Sequence, residues 1–232
     1  MDPSGSTSSS DAELKRERLL TASLLVGLGI AALGIVFFSF LGRQVLAGIT
    51  PGVDELRAEV HAAASPGLTK LMIAVSRYGG PTWLVSIGLV LAGAFLVRGW
   101  QRGAVLVVVT LAGAGILDGL LKISFGRTRP SAFFDYPLPN SASFPSGHAL
   151  YATSVLGGLA ILLSRRIRSL AIRITVWCVA LFLIALIGLS RVYLGVHYPS
   201  DVLAGFSAGA FWVAAVGFGD RLVAHRRRRK ST

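Results

Sequence analysis

Long apolar runs separated by short polar or basic connections set the rhythm of this chain, at residues 19–41, 81–97, 103–121, 149–163, 174–189 and 202–219. A helix rises 1.5 Å per residue, so about 20 apolar residues cross a hydrocarbon core of roughly 30 Å. The first run meets that length, and the shorter ones fit if their helices tilt or begin inside the interface. The pattern predicts an all-α fold, a six-transmembrane-helix bundle. Run 19–41 follows Lys15, Arg16 and Arg18. It reads as a retained span, because a cleavable signal has a shorter apolar core and a small-residue cleavage site.

The connection 42–80 is long and carries helix signals of its own. Asp54 and Glu55 follow Pro51 and Gly52, an amphipathic stretch runs toward Ala64, and Pro66-Gly67 breaks it before a second short helix from Leu68 to Ser76. These segments are expected as short interfacial helices over the bundle, with His61 as a surface residue on a polar face. The domain layout is then a Ser-rich disordered cytoplasmic tail over 1–18, a helical domain over 19–222, and a basic cytoplasmic tail over 223–232.

Composition strengthens the membrane reading. Hydrophobic residues make up 53% of the 232 and charged ones only 15%, whereas soluble domains carry about 25% charged residues. Glycine, with 27 copies, suits membrane helices that approach closely. The net charge of +12 raises the prospect of nucleic acid, but its longest run, Arg226 to Lys230, directly follows an apolar segment. That placement predicts a juxtamembrane anchor meeting anionic lipid headgroups, and nothing calls for nucleic acid. Cys178 is the single cysteine, which excludes an internal disulfide and a cysteine metal site and leaves it as a packing residue. With the N-terminus inside, the cytoplasmic side receives 15 of the 23 basic residues. The bias predicts both termini cytoplasmic in a plasma membrane.

In that topology the polar groups left unexplained fall on one face. One connection runs from Lys122 through Arg127 and Arg129-Pro130 to Pro145-Ser146-Gly147-His148, and another from Ser190-Arg191 to His197 and Asp201. Lys122, Arg129 and Arg191 sit beside membrane segments, where a charge needs a partner or a polar cavity. Asp118, one turn before Lys122, can pair with that lysine but cannot neutralise all three. A phosphoryl group, able to accept bidentate arginine contacts, fits the remaining need. Ser146 and Gly147 at a helix start add backbone and hydroxyl donors. Two histidines can supply a nucleophile and a proton donor, and a carboxylate such as Asp201 can fix one imidazole's tautomer. Pro199 argues against a regular helix from His197 to Asp201. Arg127 reads as a solvated loop residue outside the site, and His225 as a residue without function.

These three segments resemble the signature of the type 2 phosphatidic acid phosphatases, whose superfamily includes bacterial acid phosphatases and vanadium-dependent haloperoxidases. The matching positions are Lys122 with Arg129-Pro130, then Pro145-Ser146-Gly147-His148, then Ser190-Arg191 with His197 and Asp201. The resemblance implies that His197 attacks phosphorus to form a phosphohistidine, oriented by Asp201. It further implies that His148 protonates the leaving oxygen and later activates water, and that Lys122, Arg129, Arg191, Ser146 and the Gly147 backbone bind phosphate. No metal or other cofactor is implied.

A site at the outer interface favours a membrane lipid substrate with its tail in the bilayer and its headgroup between helices, entering past Phe133, Phe134 and Tyr136. Polyprenyl diphosphate, phosphatidylglycerol phosphate and phosphatidic acid are the lipids the resemblance allows, and the small architecture points to the first two. Two rivals remain. A vanadate-dependent haloperoxidase would use the same anion cradle, but the relatives that do so are soluble. A non-catalytic lipid-binding membrane protein would keep the cradle without needing His148, His197 and Asp201 together.

Overall fold

The computed structural model describes residues 5–49 and 53–229, with side chains of 5–24, of 53 and 54, and of part of the last turns of the chain left aside. Among the described residues the protein is all-helical. Its elements are α1 (Gly5–Leu46), α2 (Val53–Ala62), α3 (Pro66–Tyr78), α4 (Pro81–Val97), α5 (Gln101–Phe125), α6 (Gly147–Ala152), α7 (Gly158–Ser164), α8 (Leu170–Tyr193) and α9 (Pro199–Arg229). A π-helical turn, Thr153–Gly157, joins α6 to α7, so the three form one span, Gly147–Ser164.

Among the described residues five helices are long and apolar enough to cross a membrane, and six spans result if α3 and α4, bent by 50° at their joint, count as one broken span. Large apolar side chains such as Val36, Val97, Ile123, Leu170 and Phe182 point outward, a surface that water does not tolerate at this extent. The protein is a multi-pass membrane protein. The first candidate span among the described residues, Leu25–Leu46, overlaps the run 19–41 and belongs to a helix described from Gly5. Residues 1–4, 50–52 and 230–232, and the side chains of Lys15, Arg16, Arg18, Asp54, His225 and Arg227 to Arg229, lie outside what is described.

The two short helices expected in the connection 42–80 are present as α2 and α3. Pro66 opens α3, where its missing N–H costs nothing, and Ser65 Oγ accepts from the Leu68 N–H. Cys178 faces outward, a correction to its expected packing role, because it falls on the lipid-facing side of α8.

Helix α6 is the centre of the bundle, packed against α4, α5, α8 and α9. Ala149, Leu150 and Ala152 are fully buried there. Glycine makes the approach of α9 possible, since a Cβ on Gly205 would sit 2.5 Å from the Ser146 carbonyl oxygen. Helix directions then sort the chain ends. The C-terminal end of α5, the start of α6, the end of α8 and the start of α9 share one end of the bundle. Gly42 of α1 packs on Phe125 at that end too. At the other end Arg102 of α5 and Arg165, just after α7, both bond Asp220 of α9. The start of α1 and the end of α9 therefore lie together, opposite the polar loops at 122–148 and 190–201.

Candidate active site

His197 sits in the short connection between α8 and α9 and is only 2% exposed. Its Nδ1 lies 3.3 Å from Asp201 Oδ2, and its Nε2 lies 2.9 Å from Arg129 Nη1. A guanidinium has no acceptor, so the second contact requires the Nε2 lone pair to accept and places the ring proton on Nδ1, facing the carboxylate. Burial is the main force on its basicity and outweighs the Asp201 carboxylate, lowering the pKa from 6.5 to about 4. Near neutrality the imidazole is therefore neutral, with Nε2 bare.

Asp201 is fully buried in the first turn of α9. Besides His197 it accepts from the Tyr198 N–H at 3.0 Å and from Arg127 Nη1 at 2.6 Å. Pro199 does not prevent the meeting of His197 and Asp201, because it opens α9 and the Asp201 side chain turns back toward the chain before it. The Asp201 carbonyl also takes the Ser146 N–H at 2.9 Å, which ties the two site loops together.

Arg129 is held by the carbonyls of Ser141, Ala142 and Val196 at 2.7, 3.1 and 3.0 Å. Burial and the nearby Arg191 charge lower its pKa from the ordinary value. Arg191 is 1% exposed and donates from Nη1 to Ser76 Oγ, while its Nε has no partner among the described residues. Lys122 Nζ bonds Asp118 Oδ2 at 2.8 Å, as the spacing suggested. Gly147 packs directly on that pair, since a Cβ there would lie 3.0 Å from Asp118 Oδ1 and 3.2 Å from Lys122 Nζ.

His148 lies on the same side, within electrostatic reach of Arg191, His197 and Lys122. Its Nε2 is 3.1 Å from the Ser76 carbonyl oxygen, an acceptor only, so Nε2 carries the proton. That carbonyl is free because of the α3–α4 bend. The Gly80 N–H, which would serve it in a continuing helix, turns instead to Arg77 O at 3.3 Å. His148 opens onto a cleft of about 680 Å³ between α3, α4 and the 134–137 segment, with Ser76, Arg77, Trp83, Phe134 and Tyr136 on its walls.

Residues 103–218 match the model of the PAP2 superfamily. The chain belongs to that superfamily. Phosphatidylglycerophosphatase B of Bacillus subtilis is 29% identical over 83% of this chain and 96% of its own. Lipid A 1-phosphatase of Rhizobium etli is 32% identical over 67% and 73%. A crystal structure of a transmembrane PAP2 type phosphatidylglycerolphosphate phosphatase from Bacillus subtilis superposes with a TM-score of 0.71 at 28% identity, covering 82% of this chain and 96% of that one. This PAP2 protein is, with them, a membrane phosphatase.

All eight residues singled out in the sequence, His148, His197, Asp201, Lys122, Arg129, Ser146, Gly147 and Arg191, thus lie at one end of the PAP2 bundle. One detail differs: the Ser146 N–H is spent on Asp201 and so is no donor for an anion, whereas its Oγ is buried without a partner among the described residues. Arg127, set aside as a solvated residue, is a correction. It is 10% exposed, ion-paired to Asp201 and stacked 4.0 Å over the Tyr198 ring. The signal was present, since a buried carboxylate has two oxygens to satisfy and the sequence reading supplied a partner for only one. Ser76 and Tyr136, 3.3 Å apart at their hydroxyls, were not foreseen as partners of Arg191. Phe134 and Tyr136 line the cleft as expected, while Phe133 instead stacks on His61 at 4.3 Å.

Proposed function

We propose that this enzyme is a metal-independent phosphatase of a lipid phosphate or diphosphate that works through a phosphohistidine on His197. The observation that carries the reading is the His197 geometry: a bare Nε2 with a guanidinium on it and a carboxylate behind Nδ1. Nε2 attacks phosphorus while Asp201 holds the ring proton and stabilises the cationic imidazole. Arg129, Arg191 and Lys122 meet the charge spread over the phosphoryl oxygens, and the unpartnered Ser146 Oγ and Arg191 Nε supply further donors. With Nε2–H held on the Ser76 carbonyl, Nδ1 of the doubly protonated His148, the form a bound phosphate anion favours, gives its proton to the leaving oxygen, and the neutral ring left behind later takes one from water.

Substrate binding follows from the cleft that ends at His148. Its rim is aromatic at Trp83, Phe134 and Tyr136 and basic at Arg77, which suits a headgroup drawn from the bilayer with its tail left among lipids. Polyprenyl diphosphate and phosphatidylglycerol phosphate are the preferred substrates, the second also being named in a relative. The site faces outward, with both termini and the basic tail on the cytoplasmic side against anionic headgroups. The basic residues concentrated away from the site support this orientation.

The test offers purified enzyme a panel of polyprenyl diphosphate, phosphatidylglycerol phosphate and phosphatidic acid under a chelator, measuring phosphate released. Activity is expected to survive chelation, and His197→Ala to lower it by about 10⁴-fold or more. A strict metal requirement, or full activity in that variant, defeats the reading.

A further inference from the structure

Three contacts pin the Arg127 guanidinium: Asp201 Oδ1 at 2.6 Å, Ser200 Oγ at 2.9 Å and the Tyr198 ring at 4.0 Å. Asp201 divides its two oxygens between tasks. Oδ2 takes His197 Nδ1 and the Tyr198 N–H, and Oδ1 takes Arg127. Both members of the ion pair are nearly dry, with side chains 10% and 0% exposed, so the charge of one acts on the other with little screening.

We propose that Arg127 is a positioning residue that fixes Asp201 and draws off part of its negative charge, and thereby sets how fast the phosphohistidine breaks down. The proposal rests on His197 being the nucleophile. In the first step the Nε2 lone pair forms a P–N bond while the P–O bond to the leaving group breaks and its oxygen takes a proton from His148. The ring is then cationic, with its proton still on Nδ1. In the second step a water oxygen bonds phosphorus, His148 takes the water proton, and the P–N electron pair returns to Nε2.

Nitrogen departs readily only while the ring keeps that Nδ1 proton. A buried carboxylate without a cation is a strong base and competes for it. Arg127, ion-paired to Oδ1 at 2.6 Å, gives the carboxylate a second partner for its charge and so leaves the Nδ1 proton on the ring. Among the described residues the other charges around His197 include Arg129 from the loop before α6, Arg191 from α8, His148 from α6, the Lys122–Asp118 pair from α5, and Arg57 from α2, which bonds the Gly195 carbonyl. Arg127 is the cation among them in hydrogen-bonded contact with the Asp201 side chain. Its influence therefore reaches Nε2 through the carboxylate, whereas Arg129 acts at Nε2 directly.

Loss of Arg127 makes His197 more basic, a better attacking group and a poorer leaving group. Rapid-quench measurement of phosphohistidine formation and decay, with the detergent-solubilised full chain and a lipid phosphate substrate, tests this. In Arg127→Gln, decay is expected to slow by about tenfold or more while formation holds or gains rate. The phosphorylated fraction rises, kcat falls more than KM changes, and the acid limb of kcat/KM moves to higher pH. Arg127→Lys, which keeps the charge, should recover much of the decay rate and also answers the question if the glutamine variant does not fold. Equal loss of both steps in both variants, or wild-type partitioning in both, overturns the proposal. A wild-type enzyme that never carries phosphohistidine overturns the nucleophile assignment as well, a result distinct from unchanged partitioning in the variants.

Discussion

Helix α9 carries an aspartate near each end, and the two are held differently. Asp201 is fully buried and bonds an imidazole, a backbone N–H and the nearly dry Arg127. Asp220, at the far end, bonds Arg102 and Arg165 at 2.7 and 2.8 Å, but those side chains are 57% and 37% exposed. Both are arginine–carboxylate pairs, yet water reaches the partners of only one. At Asp220 the ions are screened and serve to join helix ends. At Asp201 the same chemistry, enclosed, is transmitted to a titratable ring.

This contrast predicts unequal consequences for the same substitution. Asp201→Asn should lower phosphate release by about 10³- to 10⁴-fold, since the amide no longer fixes the Nδ1 tautomer. Steady-state assay alongside a check that the variant still folds in detergent measures it, and a loss comparable to that of Asp220→Asn would erase the contrast. Arg129→Gln should cost about 10²-fold in kcat/KM and shift its pH profile. Protonating Nε2 destroys the nucleophile, so activity falls as pH drops through the folded-state pKa, near 4 rather than 6.5. The Arg129 charge helps to hold that value down, so its removal moves the acid limb upward. A limb that stays in place argues against direct contact at Nε2. The smallest effect belongs to Asp220→Asn, expected to leave turnover unchanged and to lower stability by less than about 1 kcal/mol, read from thermal unfolding in detergent.

The apolar runs made the spans legible because the membrane imposes one length and one polarity on them. The motif residues were legible because cations beside apolar helices demand an explanation. What escaped depends on tertiary closure. Arg127 looks like any loop arginine until Asp201 is placed 2.6 Å from it, and Ser76 becomes a site residue only when α3 and α4 bend apart. Likewise the π-helical turn at Thr153–Gly157 leaves no trace in an apolar stretch already read as helix.

The bend between α3 and α4 has a price in regular structure, one carbonyl left without its own helix's N–H, and that loss is the reason His148 has a fixed anchor. Straightening the joint would return the oxygen to its helix and set the imidazole loose. A break in a rod is thus also the jig that aims a proton, and whatever stiffens or relaxes that corner acts on acid–base chemistry without touching a reacting atom.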